Sequence, residues 1–232
     1  MRPLTSRRLI TLQNPKSPIS ESYVKLRTNI ELSAVDGPLQ TIMITSANSG
    51  EGKSTTASNL AVVYAQADKK VLLIDCDLRK PSAHQYFMVS NRSGLTSVLV
   101  HQQALEIAIK ETFISNLHLL PSGPIPPNPS ELLSSKRMAE LFQTLRGRYD
   151  IIIVDTPPLM AVADAQIVST ICDGVILVLS SGQVKREMAL KAKASLVHAK
   201  ARILGIVLNN FDRKMADSYY YYYYYGYGTK DD

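Results

Sequence analysis

No stretch of this 232-residue chain approaches the ~20 consecutive apolar residues of a membrane-spanning helix. Any attachment to a membrane is therefore expected to come through a partner. The basic start, with Arg2, Arg7 and Arg8, leads into no apolar segment, which argues against a secretory signal and for a cytoplasmic protein. Cysteine is scarce. Cys76 and Cys172 stand alone with no C-x-x-C spacing, which fits a reducing compartment, disfavours a structural zinc site and leaves both as expected core residues.

What is present suffices for one full-sized core, since 45% of the residues are hydrophobic and 20% charged. The expected organisation is an N-terminal arm over 1–16, a single α/β domain over 17–211 and a tail over 212–232. The net charge of +6 and the pI near 9.2 favour acidic ligands in general. Because Lys and Arg run through the whole length, a solvated basic surface explains the same charge.

Six apolar runs have strand length and β-branched content: 41–45, 71–74, 117–120, 151–154, 175–179 and 203–208. Helical patterns lie between them, near 54–67, 131–145, 161–171 and 185–198. An earlier helix is expected from a Ser20 cap, with Tyr23, Leu26 and Ile30 on one face and Gly37-Pro38 ending it. Continuous apolar strands alternating with helices indicate a mainly parallel sheet flanked by helices on both faces. Ligands of such sheets bind at the C-terminal strand ends. Those ends are where the chemistry should be.

The first strand runs into Ser46-Ala47-Asn48-Ser49-Gly50-Glu51-Gly52-Lys53-Ser54-Thr55 and then a helix, the arrangement of a phosphate-binding P-loop. A Gly-rich turn at a helix start can point several N–H groups at one anion. Ser49 through Thr55 are thus candidate nucleotide contacts, Lys53 the cation and Ser54 a metal-ligating hydroxyl. Ala47 replaces the usual first glycine, a mild change because Gly50 and Gly52 remain.

The second strand ends in Asp75-Cys76-Asp77-Leu78-Arg79-Lys80. Residues two apart in extended chain face one side, so Asp75 and Asp77 can address a single magnesium–phosphate centre. Like charges this close call for a divalent cation, or alternatively for Arg79 and Lys80 in a surface turn. Asp155, followed by Thr156-Pro157-Pro158, ends another buried strand and is the third acidic candidate. The late strand ends in Asn209-Asn210, whose amides either read an adenine edge or close an Asx turn.

Beyond it the tail carries Tyr219, Tyr220, Tyr221, Tyr222, Tyr223, Tyr224, Tyr225 and, after Gly226, Tyr227. No Lys or Arg is interleaved, so a nucleic-acid stacking strip is disfavoured. A string of phenols beside a phosphoryl-transfer domain instead suggests a substrate.

Taken together these segments resemble the bacterial tyrosine kinases, in their single-domain form, over nearly the whole chain. Ser46–Thr55 is similar to the family's Walker A, Leu72–Arg79 to its Walker A′ with D-x-D-x-R, and Ile151–Asp155 to its Walker B. Pro126-Pro127-Asn128-Pro129-Ser130-Glu131 is similar to a further family stretch, read by itself as a helix start capped by Ser130. The resemblance implies ATP and Mg²⁺, with Lys53 and Asp77 as catalytic residues and Ser54, Asp75 and Asp155 around the metal. It implies phosphorylation of Tyr219–Tyr225 and Tyr227, and a homo-oligomer, a ring in the family, formed through Glu21, Lys25 and Arg27. In the E-x-x-R-x-x-R pattern Val24 replaces the middle Arg, and Lys25 lies beside it. A separate transmembrane activator recruiting the protein to the inner membrane face, a cognate tyrosine phosphatase, protein tyrosine substrates and a link to capsule or exopolysaccharide synthesis are implied as well.

The competing reading is a positioning or partitioning ATPase of the same branch, without kinase activity. Such proteins carry a signature Lys early in the loop, where Asn48 stands here. A non-catalytic nucleotide-bound scaffold is the third.

Overall fold

The computed structural model describes residues 9–34, 37 and 39–211, so the tyrosine cluster lies outside the described residues. In chain order the elements are α1 (Ile10–Gln13), α2 (Pro18–Leu32), β1 (Thr41–Ser46), α3 (Lys53–Ala65), β2 (Val71–Asp75), α4 (Ala83–Tyr86), α5 (Leu95–Leu99) and α6 (Leu105–Ala108). They continue with β3 (Lys110–Glu111), β4 (Leu117–Leu120), α7 (Pro129–Leu133), α8 (Lys136–Arg146), β5 (Ile151–Asp155), α9 (Asp164–Ser169), β6 (Gly174–Ser180), α10 (Arg186–His198) and β7 (Ile203–Asn209).

The strands form one sheet in the order β3-β4-β2-β5-β1-β6-β7, parallel except for the short β3 on β4. Its inner strands are buried on both sides, which is why they lack polar alternation. Successive residues feed opposite layers. Ile42, Ile44, Val71, Leu73 and Ile153 pack with α3 residues such as Leu60 and Tyr64. Met43, Leu72, Ile74, Ile152 and Val154 pack with Phe142, Leu145, Val168 and Leu196 on the other side. After β1 the chain crosses toward β2, and after β5 it crosses the other way to β6. The switch point therefore falls at the end of β1, where the P-loop begins.

Several local expectations change. Residues 9–14, read as part of an arm, pack on the domain: Leu9 and Thr11 are buried, and the Thr11 hydroxyl donates to Asn59 Oδ1 at 2.8 Å. The helix cap is Ser17, whose hydroxyl accepts from Ser20 N with Pro18 opening the helix; Ser20 is buried and donates to Asn14 O at 2.7 Å. The helix expected over 131–145 is two, because the Ser135 hydroxyl caps α8 through Met138 N and interrupts the run. Helix α9 starts only at Asp164, after Pro157 and Pro158 have carried the chain across the strand ends.

Candidate active site

Strand β1 delivers Ala47–Gly52 to the start of α3. Gly50 and Gly52 have φ of +85° and +94°, the left-handed region that favours glycine. Ala47 is fully buried in the core below the loop, so its methyl group fills space there and the missing glycine costs nothing in conformation. Glu51 folds back and its carboxylate accepts from Asn48 N at 3.0 Å, closing the loop on itself. No side chain caps α3, which leaves its first turn facing outward as an anion site.

Three carboxylates meet this helix start. Asp75 and Asp155 are direct partners in the β2–β5 register, and both are fully buried. Lys53 Nζ lies 2.9 Å from Asp77 Oδ2, 3.6 Å from Asp155 Oδ1 and 3.1 Å from Ser54 Oγ. Burial opposes charge on Lys53, but Asp155 and Asp77 outweigh it and the ammonium pKa is raised. Asp75 is used structurally: its oxygens accept from Asp77 N at 3.1 Å and from Ser82 N and Ala83 N at 2.9 Å each, shaping the turn after β2. Asp155 differs. Neither of its buried oxygens accepts a hydrogen bond in the described structure.

Burial, reinforced for Asp75 by the charge of Asp155, raises both carboxyls, Asp75 to about 7. The native state thus holds these protons more tightly than the unfolded chain, and stability falls as pH rises through that window. Asp164 and Asp173 work in the opposite sense. Burial would raise them, but Arg79 and Arg146 respectively prevail and hold them below the usual 3.8, so their stabilisation is lost only as pH falls into the acid range. The melting temperature of nucleotide-free protein is expected to peak near pH ~4, where the two windows meet, and to decline toward pH ~7.

The loop, the segment after β2 and the segment after β5 enclose a cavity of about 620 Å³, a size suited to a small-molecule ligand. Gly50, Gly52, Lys53, Ser54 and Thr55 form one wall. Asp77, Arg79, Ser82 and Tyr86 form another, and Pro157, Pro158, Ala161 and Val162 the third.

The family described as "AAA domain" matches residues 39–203. Over 225 residues the chain is 51% identical to tyrosine-protein kinase YwqD of Bacillus subtilis (strain 168), covering 97% of this chain and 93% of that protein. The chain belongs to the bacterial tyrosine-protein kinases. Among solved structures, this kinase is similar to the chimerical protein CapA2B2, with TM-score 0.85, 44% identity and coverage of 88% and 89% of the two chains. It is similar also to the kinase domain of Escherichia coli tyrosine kinase ETK, with TM-score 0.84, 35% identity and coverage of 87% and 79%. The nucleotide-binding fold extends to the septum site-determining protein MinD complexed with Mg-ADP from Pyrococcus horikoshii, at TM-score 0.65, 28% identity and coverage of 75% and 71%.

Not every residue singled out in the sequence of this kinase reaches the cavity. Asn209 lies over the P-loop instead, its Nδ2 donating to Glu51 O at 3.0 Å and pressed so close to Gly52 that a Cβ there would collide with it. Asn210 donates to Ser180 Oγ at 3.0 Å. Glu21 and Lys25 are exposed on α2, whereas Arg27 turns inward and donates to Val63 O at 3.1 Å.

Two wall features of the kinase differ from what the sequence led one to expect. The Tyr86 hydroxyl lies 2.7 Å from Thr55 Oγ1. Arg79 makes a two-pronged contact with buried Asp164, 2.8 and 3.1 Å, and the Ser130 hydroxyl donates to the same carboxylate at 2.6 Å rather than capping a helix. This clamp ties the turn after β2 to α7 and α9. Arg79→Ala is expected to cost about 2 kcal/mol in urea unfolding, moderated because the Arg79 side chain is 39% exposed while Asp164 is left buried and unpaired.

Among the described residues no helix is long and apolar enough to cross a membrane.

Proposed function

We propose that this kinase transfers the γ-phosphoryl group of ATP to tyrosine hydroxyls, including Tyr219–Tyr225 and Tyr227 of a neighbouring copy and tyrosines of other proteins. The observation that carries the reading is Lys53 held between Asp77 and Asp155 at the floor of the cavity. Before nucleotide arrives Lys53 occupies Asp77. A phosphate group competes for the ammonium, and Asp77 is then free to accept and orient the incoming phenol. Asp77 need not be a strong base, because a phenol with pKa of about 10 keeps its proton until late in a loose phosphoryl-transfer transition state. Positioning and charge neutralisation carry most of the rate.

The buried oxygens of Asp155, which accept no hydrogen bond and have Lys53 3.6 Å away, fit a cation, with the Ser54 hydroxyl beside them. Mg²⁺ held there would neutralise charge on the phosphates. Asp75 belongs to the same group, and its backbone hydrogen bonds support its main contribution as the residue that fixes Asp77 and the following turn. Asn209, by fixing the Glu51 carbonyl, orients the loop rather than the base.

About 20 residues follow Phe211, enough for ~70 Å of extended chain, so phosphorylation between subunits is within reach. Each phosphotyrosine adds about −1.5 to −2 charge, and four would roughly cancel the net +6. On this reading the unmodified kinase assembles through α2, and tail phosphorylation loosens the assembly. A transmembrane activator, a phosphatase and a role in capsule or exopolysaccharide synthesis complete the proposal.

Incubation with Mg-ATP should yield phosphotyrosine, none with Lys53→Met and none on the tail when Tyr219–Tyr225 and Tyr227 are Phe. Light scattering before and after should show a fall in mass; unchanged mass with a fully phosphorylated tail would refute the assembly switch. The likeness to MinD favours a second reading, a switch ATPase. Phosphate release without phosphotyrosine would establish that reading instead.

A further inference from the structure

Between residues 185 and 202, six basic residues face a single acid, Glu187, a local net charge of +5. It comprises α10 and its flanks, beside the sheet edge formed by β7. All six of these basic side chains are exposed.

The helix also presents apolar side chains outward. Ala192 and Leu196 are buried against the sheet, while Leu190, Ala194 and Val197 recur at i, i+4 and i+7 on the solvent side. On a helical projection Arg186 and Lys193 flank this stripe on one side and Lys191 and His198 on the other. Strand β7 adds exposed apolar side chains on the same side of the sheet. Ile206 and Leu208 pair in register with Leu177 and Leu179, which share the core layer of Ala192 and Leu196, so they lie on the α10 side of the sheet. Leu190, Val197, Ile206 and Leu208 are each between 49% and 58% exposed. Large apolar side chains left in water and bordered by Lys and Arg mark a binding surface.

The geometry points to direct docking of this edge on an anionic lipid surface, independently of the proposed activator. An acyl–headgroup boundary matches both parts of the surface: the apolar stripe enters the boundary, and the long Lys and Arg stems let their charges stay among acidic headgroups. A symmetric dimer through this edge is a poor occupant, because apposing two such edges brings like charges together. The surface is formed by α10 and β7 and leaves the cavity residues out, so docking and phosphoryl transfer are separable.

The test is flotation of the full-length kinase with phosphatidylcholine vesicles, with and without about one third phosphatidylglycerol. Binding is expected on the anionic vesicles, at least about tenfold weaker on neutral ones, and weakened again between ~0.1 M and ~0.5 M salt. Lys191→Glu with Lys193→Glu, and separately Leu190→Ser with Val197→Ser, should each reduce it by about tenfold. Lys69→Glu with Arg148→Glu changes net charge equally at the opposite end of the strands and should stay within about twofold of the parent. Phosphorylation of a soluble tyrosine peptide should be unaffected in all three variants, which also shows that they fold. Absence of flotation, equal binding to neutral vesicles, or equal loss in the control would overturn the proposal. So would binding only when the vesicles contain an added membrane protein, which would assign the edge to a protein partner.

Discussion

Lys53→Met is expected to lower phosphotyrosine formation by about 10³-fold, because the ammonium held between Asp77 and Asp155 at the start of α3 is lost from beside the phosphates. The same change should destabilise the nucleotide-free protein. Methionine is close to lysine in length and fills the same space, so packing is nearly kept. What remains is a set of three buried carboxylates with no ammonium among them. Breaking a buried pair by removing one partner costs about 3–5 kcal/mol when the other charge must stay. Here protonation can relieve part of that cost, since burial already raises Asp75 and Asp155. The loss of melting temperature should therefore be large near pH ~8 and small near pH ~5. An equal loss at both values would show that Lys53 acts through packing.

Asp155→Asn should abolish activity to a similar degree, about 10³-fold, and yet have the opposite effect on the fold. Asp155 is fully buried, its oxygens accept no hydrogen bond, and Asp75 is its partner across the strands. A neutral amide removes a desolvated charge and a repulsion, while Lys53 keeps its 2.9 Å contact with Asp77. We expect the nucleotide-free variant to be more stable than the parent by about 1–3 kcal/mol near pH ~8, with the gain shrinking as the parent carboxyl protonates. Urea unfolding at the two pH values, with nucleotide affinity measured alongside, checks this. If Asp155→Asn and Lys53→Met lowered stability alike, the electrostatic account of the site would fail. The strain stored at Asp155 is relieved when a cation and phosphate arrive, the usual pattern of a functional residue that the empty fold tolerates at a cost.

The sheet was legible from the chain alone because its strands carry their signal locally. Runs such as Val71–Ile74 and Ile151–Val154 are continuous, apolar and β-branched, and each ends in an aspartate where the apolar demand stops. Errors concentrated where two local rules compete. Ser17 and Ser20 are both good caps, and Pro18 rather than either serine decides between them. Ser130 has the chemistry of a cap, but a buried carboxylate outcompetes a backbone N–H for its hydroxyl. Residues 9–14 are too polar to read as core, and Thr11 is held through a partner 48 positions away.

The sequence by itself determined the P-loop, the acidic strand ends and the parallel alternation of elements, since turn chemistry and hydrophobic period act over a few residues. It also set the tyrosine cluster, which lies outside the described residues. Only tertiary structure decided how those pieces share work. Asp75 and Asp155 become neighbours because β5 lies beside β2 in the sheet, and that adjacency divides them into a turn-builder with three backbone donors and a carboxylate that faces Lys53 without accepting a hydrogen bond. Asn209 becomes a brace for the P-loop because β7 ends next to it, 158 residues along the chain from Glu51. The Lys and Arg residues of 185–202 acquire a common face because α10 lies beside the sheet edge formed by β7. Such roles depend on which surfaces meet when the sheet closes its layers, and no local period encodes that.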